Sequence, residues 1–234
     1  MDKAKLKKLT KLTDKKFKTL RTVVAMVASK QRPSMIIVGK GGLGKSFNVE
    51  QTIESMGIKK NEYATIKGYS TSKGLYQILY DNKDSLIIFD DCDEALEHKV
   101  SISLLKAALD SKDVRTVNWN AKLQKNDKYP PSFDFSGSVI FISNLNKEDI
   151  DQAIISRSMV VDVSMTEDEK LARMHSIIKF IEKDFSMEVK KEALQYLEDN
   201  KNNIDITMRT LGIIASLRYN YPNNWEVLAE QLLD

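Results

Sequence analysis

Residues 39–46 read G-K-G-G-L-G-K-S. The stretch fits the pattern G-x-x-x-x-G-K-[ST], in which glycines let backbone N–H groups turn inward around phosphate oxygens. Gly39, Lys40, Gly41, Gly42, Leu43 and Gly44 form the loop, and Phe47 lies just beyond it. Lys45 is placed to reach the β- and γ-phosphates of a nucleotide, and the Ser46 hydroxyl to bind Mg²⁺. Before the loop stands Ser34–Gly39, S-M-I-I-V-G, an apolar run of strand length. After it a helix is predicted from Gly44 to Met56, stopped by Gly57, whose positive end points at the same anion. Strand, glycine loop and helix in that order are the context that turns the pattern into a nucleotide site.

Working outward, Ser85–Asp90 (S-L-I-I-F-D) is nearly all apolar and ends in acid, as expected of a strand buried on both faces. Its last residue, Asp90, is the candidate carboxylate for Mg²⁺, and Asp91 the candidate for polarising an attacking water. The alternative is that the run Asp90-Asp91-Cys92-Asp93-Glu94 merely closes a strand and solvates a turn. Further strands are predicted at Tyr63–Lys67, Gly137–Ser143 and Met159–Val163, with helices over Ser72–Tyr80 and Val100–Leu109. Alternating units with apolar strands imply a parallel sheet covered by helices on both faces, an α/β P-loop NTPase core.

After residue 164 the strand signals stop. Thr166 with Glu169 forms a capping-box pattern, with Leu171, Met174, Ile177, Ile178 and Ile181 behind it at helical spacing. Helices are predicted at about 188–199, 206–219 and 222–233, the last with Pro222 in its first turn. The expected organisation is a basic N-terminal helix over 1–30, an α/β nucleotide-binding domain over 31–164, and a small all-helical lid domain over 165–234.

The chain of 234 residues carries a net charge of +3, but residues 1–21 hold nine basic residues against two acids. That segment is +7, so the remainder is −4. No continuous apolar stretch or cleavage site marks the lysines as a secretory signal. No run approaches the roughly 20 apolar residues of a membrane helix, so the expectation is a soluble, cytoplasmic protein without a membrane partner. Cys92 is the single cysteine, which excludes an internal disulfide and a Cys-clustered zinc site; a small buried filler is its expected role. His98 and His175 are isolated, without the paired ligands of a zinc site.

With these elements placed, residues 30–220 resemble an AAA+ ATPase. Asn144, ending V-I-F-I-S-N, is similar to the sensor-1 position that orients the hydrolytic water. Arg157, in A-I-I-S-R-S, resembles the arginine finger, and Arg209, in D-I-T-M-R-T-L, resembles sensor 2. The resemblance implies ATP and Mg²⁺ as cofactors and a homo-oligomeric ring or spiral. Arg157 would then contact the γ-phosphate of a neighbouring subunit, and Arg209 that of its own. Many members carry Glu where this chain has Asp91, which would affect hydrolysis. Because the sequence ends after the lid, a helicase-loader or small bacteriophage-type member is a closer likeness than a clamp loader with its collar. Lys40 also fits the deviant loop of ParA/MinD partition ATPases, a lesser likeness, since Phe47 stands where those proteins have Thr.

Two loops are candidates for a polymer substrate. Residues 67–73 carry Tyr69, which the resemblance to AAA+ proteins implies would grip nucleic acid or polypeptide, and which read by itself equally completes a solvated turn. In the insertion 112–136, Lys112, Arg115, Lys122, Lys125 and Lys128 alternate with Trp119, Tyr129 and Phe133. Cations and rings together suit single-stranded nucleic acid, while the rings alone suit packing of a hairpin. In the N-terminal segment Leu6, Leu9, Phe17, Leu20, Val24 and Val27 share a face and most lysines the other. The apolar stripe is expected to pack, leaving Lys7, Lys8 and Lys11 for a DNA backbone, an acidic partner or an anionic surface. Taken together, these features point to a Mg²⁺-dependent ATPase acting on DNA or a replication protein. An ATP-dependent protein remodeller and a poorly hydrolysing ATP switch are the alternatives.

Overall fold

The computed structural model describes residues 1–112, 114–120 and 128–233, so the expectation for Lys122 and Lys125 lies outside the described residues. These residues form two compact units. One comprises residues 18–40 and 45–163, the other residues 1–17, 41–44 and 164–234. The N-terminal helix α1 (Lys3–Ala28) is therefore not a unit of its own, since its halves belong to different units.

The first unit is built on five parallel strands: β1 (Ser34–Val38), β2 (Tyr63–Lys67), β3 (Leu86–Asp90), β6 (Ser138–Ile142) and β7 (Met159–Asp162), in the order β2-β3-β6-β1-β7. The three inner strands are buried at every residue, the property their unbroken apolar sequences anticipate. Phe89 and Phe141 stack across β3 and β6 at 5.3 Å, and burial of each such side chain contributes about 2 kcal/mol. Besides the second half of α1, the helices of this unit include α2 (Lys45–Ser55), α3 (Ser72–Asp81), the short α4 (Glu94–Glu97), α5 (Lys99–Ala108) and the short α6 (Gln152–Ile155). Because all five strands run the same way, the ends of β1, β3 and β6 that carry Gly39, Asp90 and Asn144 lie together at one edge. Open α/β sheets bind ligands at that carboxyl edge.

The insertion forms an antiparallel pair, β4 (Thr116–Asn118) with β5 (Ser132–Asp134). Its rings join the core. Trp119 and Phe133 lie 5.5 and 5.2 Å from the Tyr76 ring, and Tyr129 lies 5.5 Å from Tyr80. Arg115 donates to the carbonyls of Ala108 (3.0 Å) and Gly137 (2.8 Å) over the Phe135 ring. Burial pushes its pKa below the usual arginine value. These contacts are those of the packing alternative for the rings: an aromatic ring gains more from a ready apolar partner than from remaining in water.

In the second unit, α7 (Glu167–Ile177), α8 (Met187–Asp199), α9 (Met208–Asn220) and α10 (Trp225–Leu233) enclose a core that includes Leu194, Leu197 and Ile214. The Thr166–Glu169 capping box forms as the sequence pattern anticipates. The expected helix start at Pro222 is displaced: residues 222–224 make a turn, Asn224 N–H donating to the Tyr221 carbonyl, and α10 begins at the buried Trp225. The first half of α1 packs here. Phe17 is fully buried beneath Arg173, which pairs with Asp14 at 2.7 Å. Lys5 pairs with Asp168, and Lys16 with Glu169 and the Ser164 carbonyl. Lys7, Lys8 and Lys11 are exposed and have no partner among the described residues. No described helix is long and apolar enough to cross a membrane.

Candidate functional site

The loop between β1 and α2 turns through residues with positive φ, Gly39 at 142°, Gly42 at 71° and Gly44 at 81°. Glycine enters that region without steric cost. Gly42 is doubly required, because a Cβ there would lie 2.7 Å from the Thr207 Cβ. In the same unit the Met208 N–H, at the start of α9, donates to the Gly42 carbonyl at 3.0 Å. Arg209 is the next residue, and its side chain is exposed.

In the first unit five of the expected residues meet at the carboxyl edge. Lys45 is buried, and its ammonium donates to the Gly39 carbonyl, to the Lys40 carbonyl (3.1 Å) and to Asn144 Oδ1 (2.8 Å). Desolvation lowers its pKa from the usual lysine value, against the attraction of Asp91, Asp93 and Asp90. Ser46 Oγ donates to Asp90 Oδ1 at 2.8 Å. Asn144 Nδ2 donates to Asp91 Oδ1 at 2.7 Å, so one amide bridges the lysine and the second acid. Asp91 itself adopts a positive φ of 56°, with its N–H held by the Ile142 carbonyl at 3.1 Å.

Two further residues of the site carry little signal in the sequence. Asp93 accepts from Ser143 Oγ (2.6 Å) and the Asn144 N–H (3.3 Å), fixing the end of β6. Membership of the acidic run is the one mark it bears. Lys67 ends β2, where the parallel register sets it beside Asp90, and its ammonium lies 3.0 Å from Asp90 Oδ2. That contact raises the Lys67 pKa. Both oxygens of Asp90 are thus engaged. Replacing Lys67 with Met is expected to free one of them and lower, several-fold, the Mg²⁺ concentration needed for half-maximal binding of a fluorescent ATP analogue.

Other expected residues stand apart. Phe47 is 61% exposed, Leu43 is buried, and Lys40 and Gly41 are exposed, Lys40 contributing its carbonyl rather than its ammonium. Cys92 is buried against the Ile66 carbonyl, and desolvation pushes its thiol up to about 11. Native protein at pH 8.5 should therefore resist a thiol reagent that labels one equivalent after denaturation.

Arg157 lies at the opposite edge of the sheet. Its carbonyl accepts from Ser34 Oγ, at the first residue of β1, whereas the phosphate loop leaves the last. One guanidinium nitrogen donates to the Ala153 carbonyl at 2.9 Å, and Nε is buried without a partner among the described residues. Five residues of strand, about 16 Å, separate it from the loop of its own chain.

The residues present fit a nucleotide and magnesium. Ser46 and Asp90 offer hard oxygens of the kind Mg²⁺ takes, and Lys45 a desolvated cation for phosphate. Among the described residues no group of three or more His, Cys, Asp or Glu could hold a metal by itself, so an ion on Ser46 and Asp90 would take its remaining ligands from water or phosphate.

No protein-family model matches the chain. It is 26% identical over 237 residues, 92% of its own length and 73% of the relative's, to an uncharacterized 36.7 kDa protein encoded in the nrdC–mobD intergenic region of enterobacteria phage T4. Among solved structures it is similar to a point mutant of RuvB from Thermotoga maritima, with a TM-score of 0.58 and 12% identity over 95% of this chain and 70% of that one. The chain shares the α/β parallel-sheet fold of that RuvB structure.

Proposed function

We propose that this protein is a Mg²⁺-dependent ATP hydrolase whose copies assemble so that Arg157 of one serves the nucleotide held by the next. The observation that carries this reading is the separation of the two halves of the site. Lys45, Ser46, Asp90, Asp91 and Asn144 converge at the carboxyl edge of the sheet, and Arg157 is anchored at the amino edge. An arginine side chain cannot span about 16 Å of strand, so its partner phosphate belongs to another copy. Cyclic repetition of one such head-to-tail contact gives a ring or an open spiral.

Within each copy, Lys45 would hold the β- and γ-phosphates, and Ser46 with Asp90 the metal. Asp91, oriented by Asn144, would polarise the attacking water, with Arg209 on the γ-phosphate of its own nucleotide. Magnesium, when bound, neutralises charge developing on the transferred phosphoryl group. The test is ATPase activity against protein concentration. Specific activity should rise with concentration and plateau as the assembly saturates. A concentration-independent rate equal to the plateau sinks the inter-subunit site.

As to what the assembly acts on, the favoured class is DNA or a DNA-replication complex, supported by the exposed lysines Lys7, Lys8 and Lys11. Reversal of all three should weaken duplex binding and flatten its log–log salt slope by up to about 3. Unchanged binding would remove this role. A protein remodeller is the second reading, favoured by Tyr69, which is 75% exposed. Stimulation of the ATPase by an unfolded polypeptide and not by DNA would select it. Slow turnover that neither stimulates would mark a nucleotide switch, the outcome the short Asp91 side chain favours.

A further inference from the structure

At the amino edge of the sheet, segments 30–34, 109–112, 136–137 and 156–159 enclose a cleft of about 780 Å³. Among the described residues its lining holds five cationic side chains (Lys30, Arg32, Lys112, Arg115 and Arg157) against a single acid, Asp110. The cations are not equivalent. Lys30 donates to the Asp84 carbonyl and Arg115 to the carbonyls of Ala108 and Gly137, so both are tied to the protein's own backbone. Arg32 and Lys112 are exposed and have no partner among the described residues. Among the described residues Arg157 is bound through one guanidinium nitrogen, and its buried Nε has no partner.

We infer that Arg32 and Lys112 act with Arg157 as one receptor for the triphosphate carried by a neighbouring copy of this chain. The inference rests on the proposed inter-subunit site and extends it from one residue to a three-cation cleft. Arg32, Lys112 and Arg157 outweigh Asp110 in this concave wall, and a concentrated field of one sign favours a small polyanion of matching charge. A nucleoside triphosphate supplies three to four negative charges over a few ångströms. It also arrives already held at the carboxyl edge of the next copy, which leaves its outer phosphate oxygens for a second set of donors. Arg32 and Lys112 would bind these oxygens, making ATP-driven association tighter than association without nucleotide.

The test combines the double variant Arg32→Ala, Lys112→Ala with two single variants, Arg157→Ala and Lys45→Met. The double variant should assemble without nucleotide as the wild type does and lose tenfold or more of the strengthening that ATP gives, read by mass photometry. Its lost ATPase should return on mixing with Lys45→Met, which keeps an intact cleft. Mixing with Arg157→Ala should restore nothing, because both variants are damaged on the same face. Wild-type assembly and turnover in the double variant, alongside a loss in Arg157→Ala, overturn the receptor while sparing the inter-subunit site. An assembled Arg157→Ala protein with full turnover removes the inter-subunit site itself. Loss of salt-sensitive single-stranded DNA binding in the double variant, with ATP-driven assembly intact, reassigns the cleft to nucleic acid and overturns the proposal.

Discussion

Arg157→Ala is expected to lower turnover by about 10³-fold or more in the fully assembled protein, with little change in the nucleotide affinity of the unassembled chain. An arginine delivered to a transferring phosphoryl group accelerates its transfer by that order, since the guanidinium meets charge that develops in the transition state. The affinity should be spared because Arg157 sits at the amino end of β1 and the phosphate loop at the carboxyl end. Stability should fall by only about 1 kcal/mol, because the side chain makes one hydrogen bond, to the Ala153 carbonyl, and its Nε makes none. The decisive measurement is a mixture with Lys45→Met. Neither variant turns over alone, and together they should recover part of the wild-type rate, since each supplies the half-site the other lacks. No recovery in a mixture shown to co-assemble would place Arg157 outside the reaction.

Lys45→Met is expected to weaken ATP binding by about 10²- to 10³-fold, the loss usual when one member of a buried, hydrogen-bonded charge pair is removed. Methionine keeps the length and the apolar stem, so the change isolates the ammonium. The variant also carries a pH signature. Burial lowers the Lys45 pKa, so the folded state binds this proton less tightly than the unfolded one. Stability therefore gains a contribution as pH rises through the window between the lowered value and the ordinary 10.5, and Lys45→Met should lack that gain. Isothermal titration with ATP measures the first effect and paired thermal melts across pH the second. Retained affinity in Lys45→Met would mean that the loop does not hold phosphate in this chain.

Much of this site is legible in the chain. The loop geometry comes from Gly39, Gly42 and Gly44, and the strand–loop–helix context from the apolar run before and the helical spacing after. The Ser46–Asp90 contact is foreseeable because Asp90 ends a strand and Ser46 lies in the first turn of a helix, each of a type written in its own composition. Lys67 is not: its approach to Asp90 depends on β2 pairing with β3 in a given register, and nothing within residues 63–67 specifies that partner. The insertion's rings are ambiguous for the same reason. A Trp or Tyr in a basic loop reads alike whether it faces a base or Tyr76, and only the position of α3 decides.

By itself the sequence determined the order and type of the main strands and helices, the glycine turn after β1 and the acids at the end of β3. Those depend on short-range periodicity, glycine conformation and chain neighbours. The tertiary structure alone decided the strand order, the division of the N-terminal lysines into Lys5 and Lys16, which pair, and Lys7, Lys8 and Lys11, which do not, and the location of Arg157. Each of these requires residues distant in sequence to meet. Parallel pairing sends every strand the same way, so the residues that begin strands and those that end them are gathered at opposite edges. That separation sets Arg157 apart from the phosphate loop of its own chain, and it is the physical reason the proposed site draws on a second copy.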